Sequence, residues 1–151
     1  LHFIETPGTL DGGDVMQAGD RFFILFSQRT NPTGAGQLSD ILRAYGYAVS
    51  LVPVGDGLHL KSSVNHIGDG RLLVTDEFSG NQAFNGYEQI RLDADERHAA
   101  NTLLVNDRLI MSAGCPRTYD KLRGLGREIR VLDMSEAQKM DGGLTCLSIR
   151  F

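Results

Sequence analysis

The chain has 151 residues, 41% of them hydrophobic and 23% charged, with a formal net charge of −4 at pH 7. That balance fits one soluble domain, residues 1–151, and argues against nucleic-acid or anionic-membrane partners, which need clustered Lys and Arg. No run reaches the ~20 apolar residues of a membrane helix, the amino end lacks the basic-then-apolar pattern of a signal peptide, and two cysteines, Cys115 and Cys146, allow at most one disulfide. A reducing cytoplasm is the expected compartment.

In chain order, Leu1 to Pro7 is ambiguous, and Asp11-Gly12-Gly13-Asp14 then sets two acids around a glycine pair, either a tight turn or a carboxylate aimed at a site. Gly19-Asp20 predicts a hairpin turn into a buried strand over 21–27, with Arg29 where that strand ends. Leu38, Ile41, Leu42 and Tyr45 recur at helical spacing up to Gly46, and 48–54 returns to a strand. Asp56-Gly57 turns the chain into a strand over 58–64 that opens at His59. The middle is weaker: strands over 71–75 and 87–93 flank an Asn- and Gly-rich stretch, and 100–105 is a strand opening at Asn101. Strand 108–112 follows, then a helical face of Tyr119, Leu122 and Leu125 closed by Gly126, then strand 128–133. A helical turn over 134–141, capped by Ser135, delivers a last strand opening at Cys146 behind Gly142-Gly143.

The order strand, strand, helix, strand recurs about three times. Asp11, His59, Asn101 and Cys146 stand at its openings at intervals of roughly 45 residues, a modular period. Packed about a common axis, the units would bring an acid, an imidazole, an amide and a thiol together, although the same period could equally build a structural solenoid. A free thiol, with a reference pKa of ~8.5, is mostly protonated at neutral pH, so Cys146 needs a base before it can act as a nucleophile.

The motifs Leu10-Asp11-Gly12-Gly13-Asp14-Val15, Ser27-Gln28-Arg29-Thr30-Asn31, Asp56-Gly57-Leu58-His59-Leu60-Lys61-Ser62 and Gly143-Leu144-Thr145-Cys146-Leu147-Ser148 together resemble the dimethylarginine dimethylaminohydrolases. These belong to the guanidino-modifying, or pentein, superfamily. The resemblance implies an α/β fold of ββαβ modules from a five-bladed propeller, of which this chain would hold about three, the amino-terminal modules being absent. It implies a hydrolase that converts Nω,Nω-dimethylarginine or Nω-methylarginine to citrulline and a methylamine through a covalent thiouronium. In that scheme Cys146 is the nucleophile, His59 the general acid and base, and Asp11 the carboxylate that holds the guanidinium and orients the imidazole. Arg29 would bind the substrate α-carboxylate, and the Met140 carbonyl its α-amino group.

The resemblance implies no cofactor and no metal. It leaves room for a companion segment carrying the missing modules, or for a homodimer. Arginine deiminases share much of the pattern but carry an acid two residues after the histidine. Lys61 stands there and cannot accept guanidinium N–H groups, which favours methylated arginine. The alternatives are an arginine deiminase-like hydrolase, or a non-catalytic fragment acting as a binding or structural module. His2, His66, His98 and Cys115 read as structural or incidental.

Overall fold

The computed structural model describes residues 1–53 and 59–149. The chain divides into two compact units, Leu1–Leu60 and the remainder from Lys61.

In the first unit, Asp11 leads into a 3-10 turn, Gly12–Asp14, and then strand β1 (Val15–Ala18). Gly19 takes φ +61 in the two-residue turn to β2 (Arg21–Leu25), and the antiparallel register runs from Ala18↔Arg21 to Val15↔Ile24. Phe23, Ile24 and Leu25 are fully buried. Helix α1 (Pro32–Ala44) has Pro in its first turn and Asn31 as N-cap, accepting the Gly34 N–H at 2.8 Å. It returns the chain to β3 (Ala48–Val52), parallel to β2 from Arg21↔Ala48. The core face of α1 is Gly34, Ala35 and Ser39. Tyr45, expected on that face, is 67% exposed, and its hydroxyl meets His2 Nε2 at 2.9 Å.

Residues 54–58, including the expected turn at Asp56-Gly57, lie outside the described residues. The short helix α2 (Leu60–Ser63) comes next.

The second unit repeats the pattern twice. Strands β4 (Val64–His66) and β5 (Arg71–Val74) pair antiparallel, and β6 (Glu88–Arg91) joins β5 in parallel. The crossover between β5 and β6 is a pair of 3-10 turns, Asp76–Phe78 and Gln82–Phe84, anchored by the buried rings of Phe78 and Phe84. Two 3-10 turns, kinked at Glu96, span Ala94–Asn101 and lead to β7 (Leu103–Val105). Asn106 and Asp107, both at positive φ, turn it into β8 (Arg108–Ser112). Helix α3 (Pro116–Arg123) crosses to β9 (Glu128–Leu132), parallel to β8, and α4 (Ser135–Gln138) follows. Ile67, Leu73, Leu92, Leu109, Met111 and Leu122 belong to the core of this unit.

Among the described residues, each of three sheets thus has an antiparallel pair, then a crossover to a parallel third strand, in sequential order. Of the expected strand over 58–64, residues 60–63 are instead α2 and Val64 opens β4, while Leu58 lies outside the described residues. Leu60, which opens α2, and Val64, which opens β4, are both fully buried. Ala100 and Asn101 likewise end a 3-10 stretch rather than open a strand, and 144–147 is a turn where a last strand was expected. Ser135 is the first helical residue of α4 rather than its cap, and its N–H is held by Asp133 Oδ1 at 2.9 Å.

Candidate active site

Three of the expected site residues meet in the first unit. Asp11 Oδ1 accepts the Gly13 N–H at 2.7 Å, which fixes the carboxylate over the 3-10 turn it caps. Oδ2 then lies 3.6 Å from His59 Nε2 and 3.5 Å from Arg29 Nη1. Arg29 Nη1 is 3.0 Å from His59 Nε2. A guanidinium only donates, so in this hydrogen bond His59 Nε2 is the acceptor. A Cβ on Gly13 would stand 3.0 Å from both Asp11 Oδ1 and His59 Cγ, so the missing side chain admits the imidazole.

The cluster is open to solvent: the Arg29 side chain is 64% exposed, against 31% for Asp11 and 21% for His59. The Gly13 N–H holds the Asp11 carboxyl below its ordinary range, helped by the imidazole when protonated and by Arg29, while burial works the other way.

Beneath this cluster lies a platform that the sequence reading missed. Asp14 is fully buried, and its Oδ2 accepts the Ser27 hydroxyl at 2.6 Å and the Thr30 hydroxyl at 2.7 Å. Each hydroxyl in turn accepts backbone N–H groups: Ser27 Oγ those of Arg29 (3.0 Å) and Thr30 (3.1 Å), Thr30 Oγ1 that of Asp11 (3.0 Å). One buried carboxylate therefore fixes the backbone of both Asp11 and Arg29. The available signal was the second acid of Asp11-Gly12-Gly13-Asp14 and the hydroxyl residues on either side of Arg29.

In the second unit, Cys146 is exposed and sits in the turn over 144–147, closed by the Leu147 N–H on the Gly143 carbonyl at 3.1 Å. Asn101 spends its side-chain oxygen on Thr145, the residue before the cysteine. Met140 is 88% exposed, and its N–H bonds the Ala137 carbonyl at 3.0 Å. Lys61 is half-buried in α2. Cys115 is a core thiol, pushed up by burial and then by the charge of Glu96. His66 is half-buried against Tyr87, and His98 is exposed. Among the described residues no group of three or more His, Cys, Asp or Glu is placed to hold a metal ion, and no helix is long and apolar enough to cross a membrane.

No family model matches the chain. It is 42% identical over 148 residues to an N(G),N(G)-dimethylarginine dimethylaminohydrolase of Pseudomonas aeruginosa, a match that covers 98% of this chain and 58% of that protein. It is 37% identical over 155 residues to the protein of that description in Streptomyces coelicolor, covering 99% and 57%. Among solved structures, a cysteine-to-serine mutant of the Pseudomonas aeruginosa enzyme complexed with citrulline superposes with a TM-score of 0.94 at 41% identity, over 98% of this chain and 58% of that one. A dimethylarginine dimethylaminohydrolase with histidine replaced by glycine, as its adduct with S-methyl-L-thiocitrulline, gives the same score, identity and coverage. The chain thus spans less than three-fifths of the relatives it matches.

Proposed function

From a chain that is a homologue of dimethylarginine dimethylaminohydrolase and shares its pentein fold, we propose that it carries the cysteine, histidine and acid of a hydrolase acting on methylated arginine. The observation that carries the reading is the guanidinium already held in the first unit: Arg29 lies against Asp11 and His59, the two groups that would receive the substrate guanidinium. Engaging the substrate α-carboxylate, which suits the planar fork of Arg29, would draw Arg29 off His59 and vacate that place.

The chemistry follows from the residues. Cys146 gives its proton to His59, and the thiolate attacks the guanidinium carbon. The imidazolium protonates the departing dimethylamine, leaving a thiouronium on sulfur. His59 next takes a proton from water, which adds to the same carbon. Collapse expels the sulfur, which recovers the proton from His59, while the added oxygen gives its remaining proton to the released amine, and citrulline leaves. Asp11 remains ionised throughout, since Gly13 holds its pKa low. Lys61, unable to accept N–H groups, favours methylated over unsubstituted arginine. The Met140 carbonyl takes the α-amino group.

A small-molecule substrate needs neither nucleic acid nor membrane, and the cytoplasm suits a free thiol. A companion segment carrying further modules is the proposed partner, with a homodimer as the other assembly. Incubation with Nω,Nω-dimethylarginine should yield citrulline and dimethylamine in equal amounts, with none from Cys146→Ser. Citrulline from Cys146→Ser at the wild-type rate would falsify the assignment.

A further inference from the structure

We infer that Asn101 is a positioning residue for the nucleophile, acting as the cap of the helical turn that carries Cys146. The inference rests on the reading of Cys146 as nucleophile. A single turn does not hold itself, because it fixes several dihedrals for one hydrogen bond and leaves its first N–H groups without an internal partner. Asn101 Oδ1 accepts both the Thr145 N–H at 2.8 Å and the Thr145 hydroxyl at 2.5 Å. Three other turns are held locally, by Asp11 for Gly13, Asn31 for Gly34 and Asn81 for Ala83, whereas Glu96 caps α3 from a distance through the Arg117 and Thr118 N–H groups and the Thr118 hydroxyl. At the cysteine the cap comes from 44 residues away.

The approach is built in. A Cβ on Gly143 would lie 2.5 Å from Asn101 Cγ and Nδ2, so only glycine lets the amide reach Thr145. Asn101 is 8% exposed, and the residue after it is anchored twice. Asn65 Nδ2 donates to the Thr102 carbonyl at 2.8 Å, and the Thr102 hydroxyl donates to the Ala99 carbonyl at 2.8 Å. Asn65 belongs to β4, and Thr102 immediately precedes β7, so one buried polar chain ties two module entries to the cysteine turn. The thiol itself is exposed, so its direction comes from the backbone that Asn101 holds rather than from side-chain packing.

The test alkylates the full chain with chloroacetamidine, which carries a cationic amidine, and with neutral chloroacetamide. Labelling at Cys146 is followed by peptide mass spectrometry, with Cys115 as internal reference and a thermal melt to check folding. Wild type is expected to prefer the amidine. Asn101→Leu should lose that preference by on the order of tenfold or more, as misplaced reacting groups do, while its neutral rate changes little. Asn101→Asp, which keeps the acceptor, should recover part of it. A folded Asn101→Leu with wild-type preference overturns the inference. If that variant does not fold, Thr145→Val, which loses only the hydroxyl bond, decides: an intermediate loss supports the cap and an unchanged preference overturns it. Absence of amidine preference in the wild type would instead sink the nucleophile reading, and the inference with it.

Discussion

Replacing Asp14 by alanine removes the keystone beneath the Asp11 and Arg29 backbone. Asp14 Oδ2 receives two hydroxyl hydrogen bonds, at 2.6 and 2.7 Å. Bonds to a charged acceptor are worth ~1.5–3 kcal/mol each, so their loss costs about 3–6 kcal/mol. That is a large share of the ~5–15 kcal/mol that holds a typical domain together. At ~2–4 °C per kcal/mol for a chain near this size, the melting temperature should fall by about 6–24 °C. Asp14→Asn keeps an acceptor for the two hydroxyls but buries an amide N–H where Oδ1 has no hydrogen-bond partner, so it should recover only part of the loss. Thermal melts and urea titrations of the three proteins measure this. A fall below about 2 °C for Asp14→Ala would refute the claim that the carboxylate organises the platform.

Gly34→Ala would place a Cβ 2.1 Å from the Thr9 carbonyl oxygen, so the entry to α1 must break, and a soluble variant melting within about 2 °C of wild type would contradict the packing. Asp11 has its pKa depressed on folding, so it stabilises the fold above the unfolded value of ~3.9 and loses that contribution as pH falls through its lower folded value. Asp11→Asn should therefore melt below wild type at neutral pH, with the difference closing as pH drops under about 4; a gap independent of pH would contradict this. With a neutral alkylating agent near pH 8, exposed Cys146 should react well before Cys115, whose thiol is buried and pushed up, and peptide mapping showing equal rates would count against the burial described.

What the sequence showed follows the range of the interactions. The hairpin at Gly19-Asp20 and the strand over 108–112 are set by neighbouring residues, and both are found where expected. The three-module pattern survives even where the second crossover has no α-helix, because buried Phe78 and Phe84 do the anchoring. The stretches opening the modules were misread because short alternations such as 58–64 suit either structure, and 60–63 forms a helical turn before β4 begins at Val64. At the candidate site, Asp11, His59 and Arg29 were each named from motif, and the structure brings them together. Asp14 and Asn101 were misjudged because their partners are distant in sequence: Ser27 and Thr30 for the one, Thr145 for the other. No local pattern announces a bond across 44 residues.

The most direct test of the central claim is a trapped intermediate. S-methyl-L-thiocitrulline loses a thiolate that needs no protonation, and in buffer near the ~8.5 reference value of a thiol, hydroxide can ionise Cys146 in place of the imidazole, so attack can proceed without His59, whereas release by water needs it. His59→Ala incubated with this compound, then quenched and mapped by mass spectrometry, should accumulate a stoichiometric adduct on Cys146 that wild type turns over. No adduct, or one shared equally with Cys115, would contradict the assignment of Cys146 and His59 to one reaction.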